Sequence, residues 1–393
     1  MVKVLFVVRG YAPDISASGN LIRPIIEFAA KDKNIKISIL CISKDTREEI
    51  VDGVKIIRLA PNKYSRKGRV FNRINRQLNI NYFDRKIVNA LEKKIENLDI
   101  IESYDAIISA SYEEAIALSN ANISKEKKYH FQLEKFPIST SLKIPLIYRK
   151  KIENKEKMEK RILNSMSMVF CLPIVFEYYR KKEYSNIIEV EHPMIVEATC
   201  EMESNKMINK LIYGGGLDRN QRNPMKLLQL LRRVSMTIPI QLNFYSYSNM
   251  NDQLLKFENE NNFFKSNNPI SKEEFLNGML SSDFIITIGN KENDIFPSKI
   301  FDCISTGRPI IHVSQNNMDP YYKYLDKYKY YLILKYDELL EEGAVEKSIN
   351  FIKKNKNKKM DFKDIKEIYK ECTPEYVWNQ LIGEIGNYGY DQK

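Results

Sequence analysis

The chain has 393 residues, 43% of them hydrophobic and 29% charged, a size that exceeds what one core usually serves and a balance that fits a folded soluble protein with two domains. Lys plus Arg exceeds Asp plus Glu by 62 to 51, a net charge of +11. This suits phosphate-bearing partners such as sugar nucleotides, nucleic acid or an anionic membrane, without choosing among them.

The first predicted element is a short apolar strand, Val4 to Val8, followed by a polar loop from Arg9 to Gly19 that contains Gly and Ser. A helix with Leu21, Ile22, Ile25, Ile26 and Ala29 on one face comes next, with Ser18 as its N-cap, and then a strand from Ile37 to Ile42. This β-loop-α-β unit starts a parallel sheet. Val54 to Leu59 adds a strand after the turn at Asp52-Gly53. Basic residues Arg66, Lys67, Arg69, Arg73 and Arg76 follow with Val70, Phe71 and Ile74 among them, a stretch that fits a solvated helix or an anionic membrane surface. Further strands are predicted at Ala106 to Ala110, Lys128 to Phe131, Met168 to Leu172 and Ile187 to Val190, with helices over Phe83 to Leu98 and Lys155 to Asn164. The pattern is that of a doubly wound sheet.

The polar segment Glu197 to Lys206 reads as a linker, after which the pattern restarts. A strand from Lys210 to Tyr213 runs into Gly214, Gly215 and Gly216, and a helix carrying Met225, Leu227, Leu228, Leu230 and Leu231 follows. Strands are predicted at Ile240 to Phe244, Phe284 to Ile288, Pro309 to Val313 and Tyr331 to Leu334. Ser271 to Glu274 has a capping-box pattern, and the run Lys353 to Lys359 reads as a solvated helix end or loop. A last helix starts near Pro374. The resulting expectation is an α/β chain of two Rossmann-like doubly wound domains facing a central cleft. The first spans 1–196 and is joined by the final helix 374–393; the second spans 205–373. Ligands bind at the carboxyl ends of such sheets.

The five cysteines, Cys41, Cys171, Cys200, Cys303 and Cys372, are scattered and form no CxxC pair, so a disulfide framework or zinc site is not expected. No apolar run approaches the roughly 20 residues of a membrane span. Together with an N-terminus that reaches its charged loop early, these features predict a cytoplasmic protein.

The segment Asp294 to Ile311 reads DIFPSKIFDCISTGRPII. Pro297 suits the first position of a helix, Ile300, Phe301 and Ile304 form its apolar face, Gly307 fits the left-handed position after it, and Pro309 stops it. Free amides at the helix start make an anion site near Ser298 and Lys299. Asp302 lies a turn on, on the side of Ser298, where a carboxylate can accept two ribose hydroxyls, and Asp294 could reach a sugar beyond the phosphates. Two acids eight positions apart are common, and spacing alone favours a helix-capping acid and a surface acid over ligand contacts. In YGGGLDRNQRNP, from Tyr213 to Pro224, the glycines let a ligand or backbone approach closely, and Arg219 and Arg222 could grip a diphosphate. The segment lacks the GxGxxG spacing of dinucleotide folds, and no D-x-D pair is present to hold a metal on a diphosphate.

The stretch Asp294 to Pro309 resembles the donor-binding motif of the large retaining glycosyltransferase family of GT-B type, the family 4-like enzymes of bacterial polysaccharide synthesis. That motif has an acid, seven residues, a second acid, then a Gly-Lys/Arg-Pro turn, matched here by Asp294, Asp302 and Gly307-Arg308-Pro309. The family usually carries Glu at both acidic positions. In its glycine loop an Arg and a Lys neutralise the departing diphosphate. Arg222 matches the Lys, Gly216 stands where the Arg is found, and Arg219 is the nearest substitute. The resemblance also implies nucleobase contact by the loop Asn267 to Ile270, diphosphate contact by the first loop near Ser18-Gly19, and a sugar-pocket role for His130. His192 is expected on the hinge side and His312 as a packed residue.

The resemblance implies a retaining, metal-independent transfer without an organic cofactor. A nucleotide sugar such as a UDP-sugar would be the donor, and a saccharide or lipid-linked molecule the acceptor, at the inner face of the cell membrane in the second case. Three rivals stay open: a catalytically weak partner subunit, a sugar-nucleotide epimerase on the same architecture, and a nucleic-acid binder. The last lacks any aromatic-basic binding signature, so no nucleic-acid partner is expected.

Overall fold

The computed structural model describes residues 1–14, 16–61, 83–135, 145–198, 208–291 and 298–390. The chain divides into two compact units, Met1–Pro193 with Glu371–Lys393, and Met194–Lys370. The basic cluster Arg66 to Arg76 and most of the linker segment Glu197 to Lys206 lie outside the described residues, as do Asp294 and Pro297.

The first unit begins with β1 (Val2–Val8), α1 (Ala17–Ala29), β2 (Ile35–Ile42), β3 (Arg47–Val51) and β4 (Val54–Leu59). It continues with α2 (Arg85–Glu102), β5 (Ala106–Ala110), α3 (Tyr112–Asn120), β6 (Lys128–Gln132), α4 (Pro145–Ser165), β7 (Met168–Cys171), α5 (Pro173–Arg180) and β8 (Ile187–Glu189). Its described strands form one eight-stranded sheet in the order β3-β4-β2-β1-β5-β6-β7-β8. All neighbours are parallel except β3 and β4, which pair antiparallel. The predicted strands match these closely, but β3 carries an exposed, charged pattern that periodicity does not reveal.

In α1 the residues Leu21, Ile22, Ile25, Ile26 and Ala29 are buried, as the helical spacing predicts. Its N-cap is Ser16, whose hydroxyl accepts from the Gly19 amide; Ser18 lies inside the helix and is buried. The reason is the tight loop before the helix, where Ser16 Oγ also donates to the Gly10 carbonyl at 2.8 Å. In α2, Asp84 caps the amides of Lys86 and Ile87, and Ser103 closes the helix in the left-handed region.

The second unit holds β9 (Asn209–Gly214), α6 (Met225–Ser235), β10 (Ile240–Tyr245), α7 (Asn251–Glu260), β11 (Phe264–Asn267), α8 (Lys272–Leu280) and β12 (Phe284–Ile288). Then come α9 (Lys299–Ser305), β13 (Ile310–Ser314), α10 (Tyr322–Leu325), β14 (Tyr331–Lys335), α11 (Glu342–Asn355) and α12 (Phe362–Ile368). The described strands form a six-stranded parallel sheet in the order β11-β10-β9-β12-β13-β14. Counted within the unit this is 3-2-1-4-5-6, the Rossmann order, whose switch point lies between β9 and β12. Each unit has its own core. Leu228, Leu242, Phe284 and Ile286 are in the second, and Leu5, Leu91, Ile107 and Val169 in the first.

The capping box at α8 is present, with Ser271 accepting from the Glu274 amide and the Glu274 side chain accepting from Ser271. Helix α9 starts at Lys299 with Ser298 in the N-cap position. Gly307 adopts φ +74° where an added Cβ would overlap the Met360 carbonyl, so only glycine fits there. Arg308 is buried and its guanidinium donates to the Leu280 carbonyl at 2.8 Å, tying this turn to the end of α8.

The final helix, α13 (Pro374–Tyr390), belongs to the first unit and lies against α1. Val377, Trp378 and Leu381 on it are buried. No described helix is long and apolar enough to cross a membrane. Replacing Leu381 by Ala is expected to cost the first unit about 2–5 kcal/mol. The chain's single tryptophan, Trp378, sits on the same helix, so urea unfolding followed by its fluorescence measures the change. A midpoint unchanged from the parent would contradict this packing.

Candidate functional site

At the switch point of the second sheet, β9 ends in Gly214 and the chain continues through Gly215 and Gly216. A Cβ at Gly214 would overlap the Phe275 ring, and Gly215 holds φ +152°, so both positions demand glycine. Gly216 is exposed and open around its Cα. The Tyr213 hydroxyl donates to the Gly216 carbonyl at 3.2 Å, and burial pushes its pKa up to about 12.

The loop then folds back on itself. The Arg222 amide donates to the Asp218 carbonyl at 2.9 Å, and the Asp218 amide returns a bond to Arg222 at 3.3 Å. Asp218 Oδ1 accepts from the amides of Asn220 and Gln221, which hold its carboxyl below the usual range. This turn fixes Arg222, whose Nε donates to Asn290 Oδ1 at 2.6 Å. Arg219 stands exposed at the tip of the same turn. The resemblance matches Arg222 to the motif's Lys and offers Arg219 only as a substitute for the absent Arg; the turn separates the two.

A cavity of about 280 Å³ opens here, lined by the three glycines, Arg222, Phe275, Ile285, Thr287, Ser298, Lys299, Cys303 and Tyr321 among others. Lys299 is half-buried, with its ammonium 4.7 Å from the centre of the Phe275 ring. Desolvation lowers its pKa, Cys303 and Asp302 act against it, and the charges of Arg222 and Lys272 add smaller effects in the lowering direction. Burial raises the Cys303 thiol to about 12, which keeps it protonated. The structure therefore brings Gly215, Gly216, Arg222, Ser298 and Lys299 to one cavity. A second cation beside Arg222 is supplied by Lys299, on the helix after β12, and not by Arg219.

Asp302 sits one turn into α9, with Oδ1 3.2 Å from the Lys272 ammonium of α8. Its side chain is 19% exposed. Asp294 and Pro297 lie outside the described residues, so the sugar-side acid of the motif has no described position.

The remaining predicted site residues are in the first unit. Gly19 packs so tightly on Gly10 that an added Cβ would overlap the Gly10 carbonyl, and its amide donates to Ser16 Oγ at 3.0 Å. The loop is a knot around Ser16. His130 is 1% exposed. Its Nδ1 lies 2.9 Å from both Ser109 Oγ and the Ser109 carbonyl, and its Nε2 lies 2.8 Å from Gln132 Oε1. Burial pushes its pKa down to about 4, against the hydrogen bonds. Both nitrogens are thus engaged inside the sheet layer, which is a packed arrangement and not an open sugar contact. His192 is buried too.

The switch point of the first sheet holds a pair that sequence reading did not single out. Arg9 follows β1, and Glu114 lies in the first turn of α3 after β5. Arg9 Nη1 is 3.9 Å from Glu114 Oε1, and the Glu114 side chain is fully buried. Among the described residues neither carboxylate oxygen has a hydrogen-bond partner, nor does Arg9 Nη1. Burial raises the Glu114 pKa to about 7. Ser111, just before this helix, has φ +133°, a strained value for a non-glycine residue. Nothing in the local pattern YEEAIAL marks one of its two glutamates as buried.

No protein-family model matches the sequence, and no curated protein matches it. Solved structures do match along the whole chain. A sucrose-phosphate synthase from Thermosynechococcus elongatus superimposes with TM-score 0.65 at 12% identity, over 100% of both chains. The lipopolysaccharide outer core galactosyltransferase WaaB matches with TM-score 0.58 at 12% identity, over 98% of this chain and 100% of that one. A UDP-GlcNAc 2-epimerase from Neisseria meningitidis, bound to UDP-GlcNAc, matches with TM-score 0.60 at 9% identity, over 98% of this chain and 100% of that one. The chain has the GT-B fold. At such identities the likeness speaks to the fold alone.

The buried Glu114 carboxyl yields a prediction about pH. Between pH 4.5, its ordinary value, and about 7 the unfolded chain releases a proton that the folded chain keeps. The stability this proton contributes is full below pH 4.5 and is lost as pH rises through about 7. Glu114→Gln removes the titration. Its stability relative to the parent is expected to rise from acid to mildly alkaline pH, by on the order of 3 kcal/mol. Urea midpoints at a series of pH values measure it, and parallel profiles for the two proteins would refute it.

Proposed function

We propose that the protein is a glycosyltransferase that binds the diphosphate of a nucleotide-sugar donor in the cavity at the β9/β12 edge. The observation that carries this reading is the convergence of Arg222 and Lys299 on a glycine-floored cavity at the switch point of a Rossmann-type sheet. Two cations and a close backbone approach suit a diphosphate, and the lowered Lys299 pKa shows that this ammonium is held partly out of water, where an anionic partner offsets the cost. WaaB, which shares the fold, is named a galactosyltransferase.

In this reading the transfer breaks the bond between the sugar and the diphosphate, and negative charge grows on the leaving nucleotide. Arg222 and Lys299 stabilise that charge from fixed positions, so little reorganisation is needed as it develops. Arg222 is fixed by its bond to Asn290 and by the turn at Asp218. Asp302 accepts ribose hydroxyls, with Lys272 orienting its carboxylate. Asp294 serves the sugar on the strength of the motif alone. The reading requires no metal or organic cofactor. It assigns retention of configuration, a UDP-sugar donor, and a saccharide or lipid-linked acceptor, with work in the cytoplasm at the membrane face when the acceptor is lipid-linked.

The epimerase reading has one specific support, the likeness to an epimerase that carries UDP-GlcNAc. The two differ in products. An epimerase returns the C2 epimer of UDP-GlcNAc without an acceptor, whereas a transferase releases UDP.

Calorimetric titration with UDP and UDP-sugars tests the proposal. Arg222→Ala and Lys299→Ala are each expected to weaken UDP binding by about 10- to 100-fold, the range for a charge-assisted contact. Arg219→Ala is expected to change it less than about threefold, as for an exposed charge. Equal effects at all three positions would place the nucleotide elsewhere.

A further inference from the structure

On the cavity face of the second sheet, one chain of three polar side chains is not used by the diphosphate site. Thr287 and His312 are register partners on β12 and β13. Thr287 Oγ1 lies 2.9 Å from His312 Nδ1, and His312 Nε2 lies 3.0 Å from Asp319 Oδ2. His312 is 0% exposed and Asp319 3%. The other Asp319 oxygen is also engaged, since Oδ1 accepts from the Tyr321 amide at 3.0 Å. Gly289 backs onto this carboxylate so closely that any Cβ there would overlap Oδ2. Both oxygens of this buried carboxylate are thus engaged.

The chain has a direction. A carboxylate is an acceptor only, so in a ring carrying one proton that proton sits on Nε2 and Nδ1 is left as an acceptor. The Thr287 hydroxyl must spend its single proton on Nδ1. Its remaining lone pairs are left for the cavity that Thr287 lines. The alternation along β12 puts Phe284, Ile286 and Ile288 in the core of the unit and Ile285 and Thr287 on the opposite face, and the end of the strand from Ile285 to Ile288 lines the cavity. A hydroxyl set this way cannot donate to a phosphate oxygen; it can accept from a ligand hydroxyl.

We propose that Thr287 is a donor-sugar contact, an acceptor for a hydroxyl of the sugar, and that His312 and Asp319 are positioning residues that hold it in that role. This rests on the nucleotide-sugar reading of the same cavity. The isosteric Thr287→Val removes the acceptor and keeps the shape, and Thr287→Ser restores it. Asp319→Asn can donate to Nε2, which moves the ring proton to Nδ1 and turns the Thr287 hydroxyl outward as a donor.

Two measurements test this. The chain has three histidines, so nitrogen NMR of histidine-labelled protein resolves each ring. The His312 ring is expected to be neutral with its proton on Nε2, and Asp319→Asn is expected to shift it to the other tautomer. A doubly protonated ring, or a proton on Nδ1 in the parent, would overturn the positioning role. Calorimetry with UDP, UDP-glucose, UDP-galactose and UDP-N-acetylglucosamine supplies the second. Thr287→Val is expected to weaken at least one UDP-sugar by about tenfold while UDP itself stays within about twofold, and Thr287→Ser is expected to behave as the parent. Equal losses for UDP and UDP-sugar, or none for either, would overturn the sugar contact. If the parent binds neither, the nucleotide-sugar reading itself fails and the sugar contact with it. The NMR result then still decides the arrangement of the three side chains.

Discussion

Lys299 carries an ammonium that is partly withdrawn from water, against the Phe275 ring and within the field of Arg222. Asp302 on the same helix offsets part of the cost of that withdrawal, and Arg222 adds to it. The rest of the second unit supplies the cost of this arrangement. Buried Leu, Ile and Phe side chains on one face of the sheet hold the strands in place, at roughly 25 cal/mol for each Å² of apolar surface removed from water. The consequence is a site whose charge is set before any ligand arrives.

The cavity depends equally on what is missing from it. Side chains at Gly214 and Gly215 would strike Phe275 or strain the backbone. Their absence lets the strand end become the floor, while the sheet order 3-2-1-4-5-6 parts the loops after β9 and β12 and so makes room above it. Arg222 comes from the first of these loops and Lys299 from the helix after the second. Neither loop alone holds both cations. The Thr287–His312–Asp319 chain adds a neutral, directional element beside them and comes from β12, β13 and the turn after β13.

Much of this was legible in the amino-acid order. The strands Val54–Leu59, Ala106–Ala110 and Phe284–Ile288 agree with prediction to the residue, because buried parallel strands are continuous apolar runs bounded by polar turns. The edge strand Arg47–Val51 was not legible, since an antiparallel strand facing solvent carries the same charges as a loop. Short helices such as Asn251–Glu260 also passed unremarked, with only Leu254 and Phe257 buried on them. At the site, glycines and cations were visible as types. Which cation enters the cavity was not, because the bridge between Asp218 and Arg222 that turns Arg219 outward is a matter of backbone pairing. His312 read as a packed residue, and it is one, yet its partners stand 25 and 7 positions away. Glu114 left no trace at all: burial of one glutamate in a pair is decided by the direction of its helix, not by its neighbours in sequence.

A structure of the protein with UDP bound tests the central claim most directly. The account predicts that diphosphate oxygens lie within hydrogen-bond distance of both the Arg222 guanidinium and the Lys299 ammonium, over Gly214 to Gly216. A nucleotide seated elsewhere, or one in this cavity whose diphosphate turns away from both cations, would contradict it.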